Sequence, residues 1–169
     1  MQALDIEIRS VSWDDPAASA LRESQQAEIA ERYGTPDSEP GTKPSAADIT
    51  VFFVAFAADG TPLGCGGLRR LDATEAEIKR MFVAPAHRGS GVSTAIVARL
   101  EEFGRELGLL RLVLETGTMQ PDAVRFYQRE GYTAIPNFGS YAGNEQSLCF
   151  EKPLVAIDPQ SEISCEGCE

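Results

Sequence analysis

The sequence predicts a mixed α/β fold of the α+β class: a central, mostly antiparallel sheet of six or seven strands, with one parallel pair, flanked by helices. Three observations lead there. Residues 49–83 carry three strand patterns joined by short links, which is the signature of an antiparallel meander. Residues 75–116 then run strand, glycine loop, amphipathic helix and strand, and a crossover of that kind lays its two strands parallel. A short helical stretch and a closing pair of strands follow. At 169 residues and 43% hydrophobic content, the chain suits a single core. We place one domain over residues 1–153 and an acidic tail, poor in apolar residues, over 154–169.

Each element has its own justification. Residues 4–11 alternate Leu4, Ile6 and Ile8 against Asp5, Glu7 and Arg9, the period of a half-buried strand. From Asp14, read as the cap, with Pro16 near the first helical position, the chain is helical to Tyr33, as one bent helix or two short ones. Gly34, Pro36, Pro40, Gly41 and Pro44 make residues 34–48 a loop. Residues 49–58 are dense in Val and Phe, Asp59-Gly60 is a hairpin dipeptide, and residues 62–71 return as the partner strand. Residues 75–83 form the third strand. Val92, Ile96, Leu100, Phe103 and Leu107 recur at helical spacing, and Gly108 closes that helix. Residues 109–116 place Leu110, Leu112 and Leu114 on one face and Arg111, Val113 and Glu115 on the other. A helix over 122–130 ends at Gly131, and residues 132–135 and 147–152 close the sheet around a loop at 136–146.

Composition narrows the partners. A net charge of −11 repels nucleic acid and anionic membranes. Charges at Asp5, Glu7, Arg9, Asp14 and Asp15 leave no apolar export signal, and the longest apolar run falls far short of the roughly 20 residues that span a bilayer. A cytoplasmic protein is expected, as a monomer or homodimer. Cys65, Cys149, Cys165 and Cys168 are then reduced thiols. Cys165-x-x-Cys168 has no second pair, and His87 is the single histidine, so no metal site is expected.

The most informative stretch is residues 75–94. It reads as a strand, a break at Pro85, then Arg88-Gly89-Ser90-Gly91-Val92-Ser93-Thr94 opening into a helix. Gly89 and Gly91 carry no Cβ to hold an anion off the backbone, and the first helical turn offers unpaired N–H groups at the positive end of the dipole. Arg88 adds a full charge. A dinucleotide fingerprint needs a third glycine, and a P-loop needs a Gly-Lys pair; neither is here.

What remains, Arg-x-x-Gly-x-small after the strand Ala-Glu-Ile-Lys-Arg-Met-Phe-Val, resembles the acetyl-CoA motif of the GCN5-related N-acetyltransferases (GNAT superfamily). The element order matches that fold over about residues 4–153. The resemblance implies an acetyl-CoA-dependent N-acetyltransferase whose fourth and fifth strands splay to admit the pantetheine arm. The amides of Arg88, Gly89, Ser90, Gly91, Val92, Ser93 and Thr94 would hold the pyrophosphate, with Ser93 in place of the usual Gly or Ala. Met81, Phe82 and Val83 would line the arm, and the Met81 N–H would face the thioester oxygen as it gains charge. Asp122-Ala-Val-Arg-Phe-Tyr-Gln-Arg-Glu-Gly-Tyr132 is similar to the family segment whose tyrosine assists the leaving thiolate; here that is Tyr127, with Asp122 where many members have asparagine. Glu77 stands where some members keep a general base, and two-residue parity sets it on the same face as Met81. Glu115 is a second carboxylate for that role.

The acceptor side is drawn from Arg32, Tyr33, Arg69, Arg70, Glu115, Tyr141 and the loop at 34–48, where an arginine could clamp a substrate carboxylate. The expected acceptor is the primary amine of a small molecule. A protein N-terminus or lysine is the alternative, and a non-catalytic acyl-CoA sensor a third reading. A ping-pong route through Cys65 or Cys149 lacks an activating neighbour in sequence.

Overall fold

The sheet is continuous, and helices cover both of its faces. The computed structural model describes residues 5–35 and 40–154. Its elements are β1 (Ile6–Ser10), α1 (Pro16–Tyr33), β2 (Val51–Ala57), β3 (Pro62–Arg70), β4 (Glu75–Val83), α2 (Val92–Glu106), β5 (Arg111–Gly117), α3 (Pro121–Arg129), β6 (Thr133–Ile135) and β7 (Ser147–Pro153). The strands lie in the order β1-β2-β3-β4-β5-β7-β6, with β4 and β5 parallel and every other neighbouring pair antiparallel. Of the proposed tail, Leu154 is buried in the core, and residues 155–169, Cys165 and Cys168 among them, lie outside the described residues.

The covered faces follow from the alternation in β2. Phe52, Val54 and Phe56 join Ala18 and Leu21 of α1 in one apolar cluster. Val51, Phe53 and Ala55 join Val92, Ile96, Val97 and Leu100 of α2 in the other. Successive strand residues point to opposite faces, so a strand buried on both sides must be apolar throughout. Ile96, Val97 and Leu100 are fully buried, each contributing about 1.5–3 kcal/mol of transfer free energy.

α1 is one helix, not two. Its cap is Asp15, one residue beyond the expected Asp14: the carboxylate accepts from Ala17 N (3.0 Å) and Ala18 N (3.2 Å). Pro16 has its φ preset for the first helical position, which fixes the preceding residue as the cap. The reading of β5 is also corrected. The strand begins at Arg111, so Leu110 precedes it and is 63% exposed, whereas Val113 is buried because a central strand has both faces covered.

Two features of β4 build the site. Its pairing with β5 ends at Ile78–Leu114, so Lys79–Val83 turn away from β5, which remains paired with β7 to its end. Across the β3–β4 ladder, Gly67 faces Lys79 and Cys65 faces Phe82. Gly66 therefore stands opposite two residues, Arg80 and Met81, in a β-bulge, with Arg80 at φ +60°. A Cβ on Gly66 would press on the Met81 sulfur and lie 3.1 Å from Ile96 Cγ2, so a larger residue here would make the Met81 side chain shift.

Candidate functional site

The divergence of β4 from β5 opens a cleft of about 360 Å³ reaching to the glycine loop. A smaller polar chamber of about 100 Å³ lies between the diverging strands. Gln25, Ile29, Met81, Gln120, Ala123 and Tyr127 line both, so α1 forms one wall and α3 the other.

At the outer end, Gly91 caps α2 with φ +87°, no side chain caps the helix, and Gly89 has φ +80°. A Cβ built on either glycine meets nothing within 4 Å, so both face open space. The first N–H groups of α2 thus point outward without intrahelical partners. Arg88, Gly89 and Ser93 line the cleft. Val92 is buried in the core, so only its backbone is available there. Ser90 Oγ donates to the His87 carbonyl, and Thr94 Oγ1 donates to Glu130 (3.1 Å). Arg88 is already engaged: its Nε donates to the Val83 carbonyl (2.9 Å) and its Nη2 to both Glu28 oxygens (3.1 and 2.8 Å). Arg32 approaches the same Glu28 carboxylate at 3.6 Å. With Arg129, three arginines border one cleft of a strongly acidic protein.

At the inner end, Tyr127 is 6% exposed and packs edge-on against Phe126 and Tyr132. Burial pushes its phenol well above the ordinary tyrosine range. Met81 and Phe82 complete this end, with Val83 toward the loop. The Met81 carbonyl accepts from Gln25 Nε2 at 2.8 Å. Gln25 Oε1 is buried with no partner.

The acceptor-side residues divide. The bulge cancels the parity expected between Glu77 and Met81. Glu77, across from Arg69, lies on the face of α1, whereas Met81 packs with Gly66, Ile96 and Leu100 on the face of α2. Glu77 lines neither the cleft nor the chamber. Its buried carboxylate accepts from Tyr141 Oη (2.6 Å), Arg69 (3.3 Å) and Lys79 (3.5 Å). Lys79 also donates to Tyr141 Oη at 3.0 Å. Tyr141, Arg69 and Glu77 border a separate cavity of about 400 Å³ that includes residues 40–42 and 138–140. Lys79 joins the two regions, since it also lines the chamber.

Glu115 does line that chamber with Met81 and Tyr127, and it accepts from Ser147 Oγ at 2.7 Å. Of the two carboxylates named from the sequence, Glu115 and not Glu77 lines the chamber. Arg32 lines the cleft, and Tyr33 Oη accepts from Met119 N at 3.3 Å beside it. Arg70 does not belong to the site. It folds back on the β3–β4 turn, donating to the Asp72 and Ala73 carbonyls, because its own strand position faces the outer end of β4. Burial pushes the Cys65 thiol up to about 12 and the Cys149 thiol to about 11, which removes both as ready nucleophiles.

Sequence reasoning missed Gln25 and Gln120. The available signal was the spacing Gln25, Ile29, Arg32 on α1, a helical stripe that the structure turns toward the cleft.

The comparisons with known proteins agree with this geometry. Residues 12–132 match the Acetyltransferase (GNAT) family. An IAA acetyltransferase of Azospirillum brasilense is 36% identical over 103 residues, 60% of this chain and 67% of that protein. A streptothricin acetyltransferase of Streptomyces lavendulae is 32% identical over 105 residues, 59% of this chain and 52% of its own. The matches thus span about half to two thirds of those relatives. Among solved structures, a Klebsiella pneumoniae protein described as a candidate acyl-CoA N-acyltransferase superposes with a TM-score of 0.76 at 27% identity, covering 89% of this chain and 98% of that one.

Proposed function

The chain belongs to the Acetyltransferase (GNAT) family, and from that premise we propose that it is an acetyl-CoA-dependent N-acetyltransferase. The proposed acceptor is the primary amine of a small molecule, attacking directly within a ternary complex. The observation that carries the reading is the continuity of the cleft, from open amides at the start of α2 to Tyr127 beside the splayed strands. Acetyl-CoA, bound there, supplies an acyl thioester. The residues present fit it: the glycines leave room for an anion at the helix terminus, and Arg32, Arg88 and Arg129 border that end.

The chain's own groups have distinct tasks. The amides of residues 89–94 bind negative charge, and the edge of β4 from Met81 to Val83, which β5 leaves, orients an extended arm. The Met81 N–H is the donor for an oxygen gaining charge, an interaction commonly worth about 3 kcal/mol of barrier. Tyr127 keeps its proton on Oη across the physiological range, because burial disfavours the phenolate, and so remains a donor at the inner end. Glu115, in the chamber, is assigned the proton that the attacking ammonium must lose. Glu77 is assigned to holding Lys79 and Tyr141 in place.

The small volume of the chamber favours a small amine over a protein segment, which would need an open groove. The test is thiol release from acetyl-CoA across a panel of amino acids, other small amines and short peptides, with products identified by mass. Release driven by a small amine supports the proposal. Acetylation of peptides alone would make this a protein acetyltransferase, and coenzyme A binding without release would make it a sensor.

A further inference from the structure

The bulge in β4 sets Arg80 in an unusual conformation. Among the described residues it is the one non-glycine residue with a positive φ, at +60°. An L-residue held left-handed is strained, and such strain persists only where the surrounding structure imposes it. The bulge also changes where the side chain is delivered. In an unbroken strand Lys79 and Arg80 would face opposite sides of the sheet. With the extra residue, both line the small polar chamber between β4 and β5. Lys79 is almost closed off, tied to Glu77 at 3.5 Å and to Tyr141 at 3.0 Å. Arg80 is half-buried, and so is Glu115 on the other strand. The two lie just past Ile78–Leu114, the last pair of the β4–β5 ladder, where the strands part.

We propose that Arg80 is a specificity-determining residue that binds a carboxylate of the acceptor, which makes the acceptor an α-amino acid. This rests on the reading of the chamber as the place where the amine meets the thioester. Charge decides between acceptor classes. A simple amine arrives as an ammonium, which Glu115 attracts and the Arg80 guanidinium repels. A carboxylic acid without an amine meets the reverse. A zwitterion answers both. Its ammonium turns to Glu115, which is assigned the departing proton, and its carboxylate turns to Arg80, whose planar fork offers parallel N–H donors. In α-amino acids a single carbon separates the two charged groups, which suits a chamber of about 100 Å³. A ligand that strips water from both protein charges while answering only one is disfavoured, so the pair also rejects amines that lack the acid.

The test sets each of a panel of α-amino acids against two matched analogues: its carboxamide, and the amine left when hydrogen replaces the carboxylate. Thiol release from acetyl-CoA gives kcat/KM for each. The wild-type protein should prefer the amino acid to both analogues by at least about tenfold. The difference should lie mainly in KM, because the carboxylate is held alike before and during transfer. Arg80→Gly removes the guanidinium at a position whose φ suits glycine, so the fold should persist in thermal unfolding. Its preference, a ratio in which general losses cancel, should fall to within about threefold of unity. Arg80→Lys keeps the charge without the fork and should retain part of the preference. Equal efficiency with an amino acid and its matched amine would overturn the proposal while leaving the protein a small-amine acetyltransferase. So would a preference that survives intact in Arg80→Gly. If the wild-type protein acetylates no small amine, the reading of the chamber fails first and this inference falls with it.

Discussion

Replacing Tyr127 by Phe tests the chemistry at the inner end of the cleft without disturbing the packing. The ring is 6% exposed and is held edge-on by Phe126 at 5.1 Å and Tyr132 at 5.7 Å, contacts that phenylalanine keeps. Burial alone moves the phenol, so no charged partner or hydrogen bond is lost with it. Stability should therefore change by less than about 0.5 kcal/mol, or about 1–2 °C in Tm for a domain of this size. Turnover should fall about 100-fold or more, equivalent to roughly 2.7 kcal/mol of barrier, while acetyl-CoA affinity stays within about twofold. Stability above pH ~10 adds a control. A folded pKa raised above the unfolded value gives stability that is complete below the unfolded pKa and lost as pH rises toward the folded one. The wild-type protein should thus lose stability at alkaline pH faster than Tyr127→Phe. The assays are thiol release with the identified amine, single-turnover kinetics and calorimetry. A fall in turnover below about threefold, with chemistry limiting, would reduce Tyr127 to a packing residue.

Two further substitutions probe the outer end and the assignment of carboxylates. Glu28→Gln releases Arg88 and Arg32 and removes one negative charge from the cleft. Coenzyme A should bind roughly fivefold more tightly, the gain shrinking with added salt; unchanged or weaker binding would show that Arg88 does not serve the phosphates. Glu115→Gln should depress the rate most at low pH, where free amine is scarce. Glu77→Gln should leave the shape of the pH–rate profile intact but cost roughly 3 kcal/mol, about 6–12 °C in Tm, because Lys79 loses a buried counter-charge. The reverse pattern would restore Glu77 as the base.

Local periodicity carried most of the fold. Val92, Ile96 and Leu100 recur at helical spacing and are the residues that bury α2. Where a residue's role depended on a distant partner, local pattern was insufficient. Parity in β4 failed because the bulge at Arg80 and Met81 arises from pairing against Gly66, fifteen positions away, and nothing within β4 announces it. Arg88 reads as a free cation until α1 brings Glu28 alongside. Leu110 reads as a strand residue because alternation does not mark where pairing begins. Gln25 is one polar residue on a weakly amphipathic helix, and its interest comes from the Met81 carbonyl it meets across the fold. Arg88, Gly89 and Ser93 of the glycine loop and Tyr127, singled out by residue type and short spacing, do line one cleft. The separate cavity bordered by Arg69, Tyr141 and residues 40–42 gathers residues that the sequence named only as a scattered set, because loops and strand ends assemble it.

The central claim is that the open amides at the start of α2 hold the anionic end of coenzyme A, and Gly91→Asp tests it most directly. Aspartate tolerates a left-handed φ better than most residues, and its Cβ meets no neighbour within 4 Å, so the fold should persist. Its carboxylate would occupy the position assigned to phosphate. Calorimetric titration with coenzyme A should give a single site in the wild-type protein and no measurable binding to the variant, with thermal unfolding confirming that the variant is folded. Equal affinity in the two proteins would contradict the account.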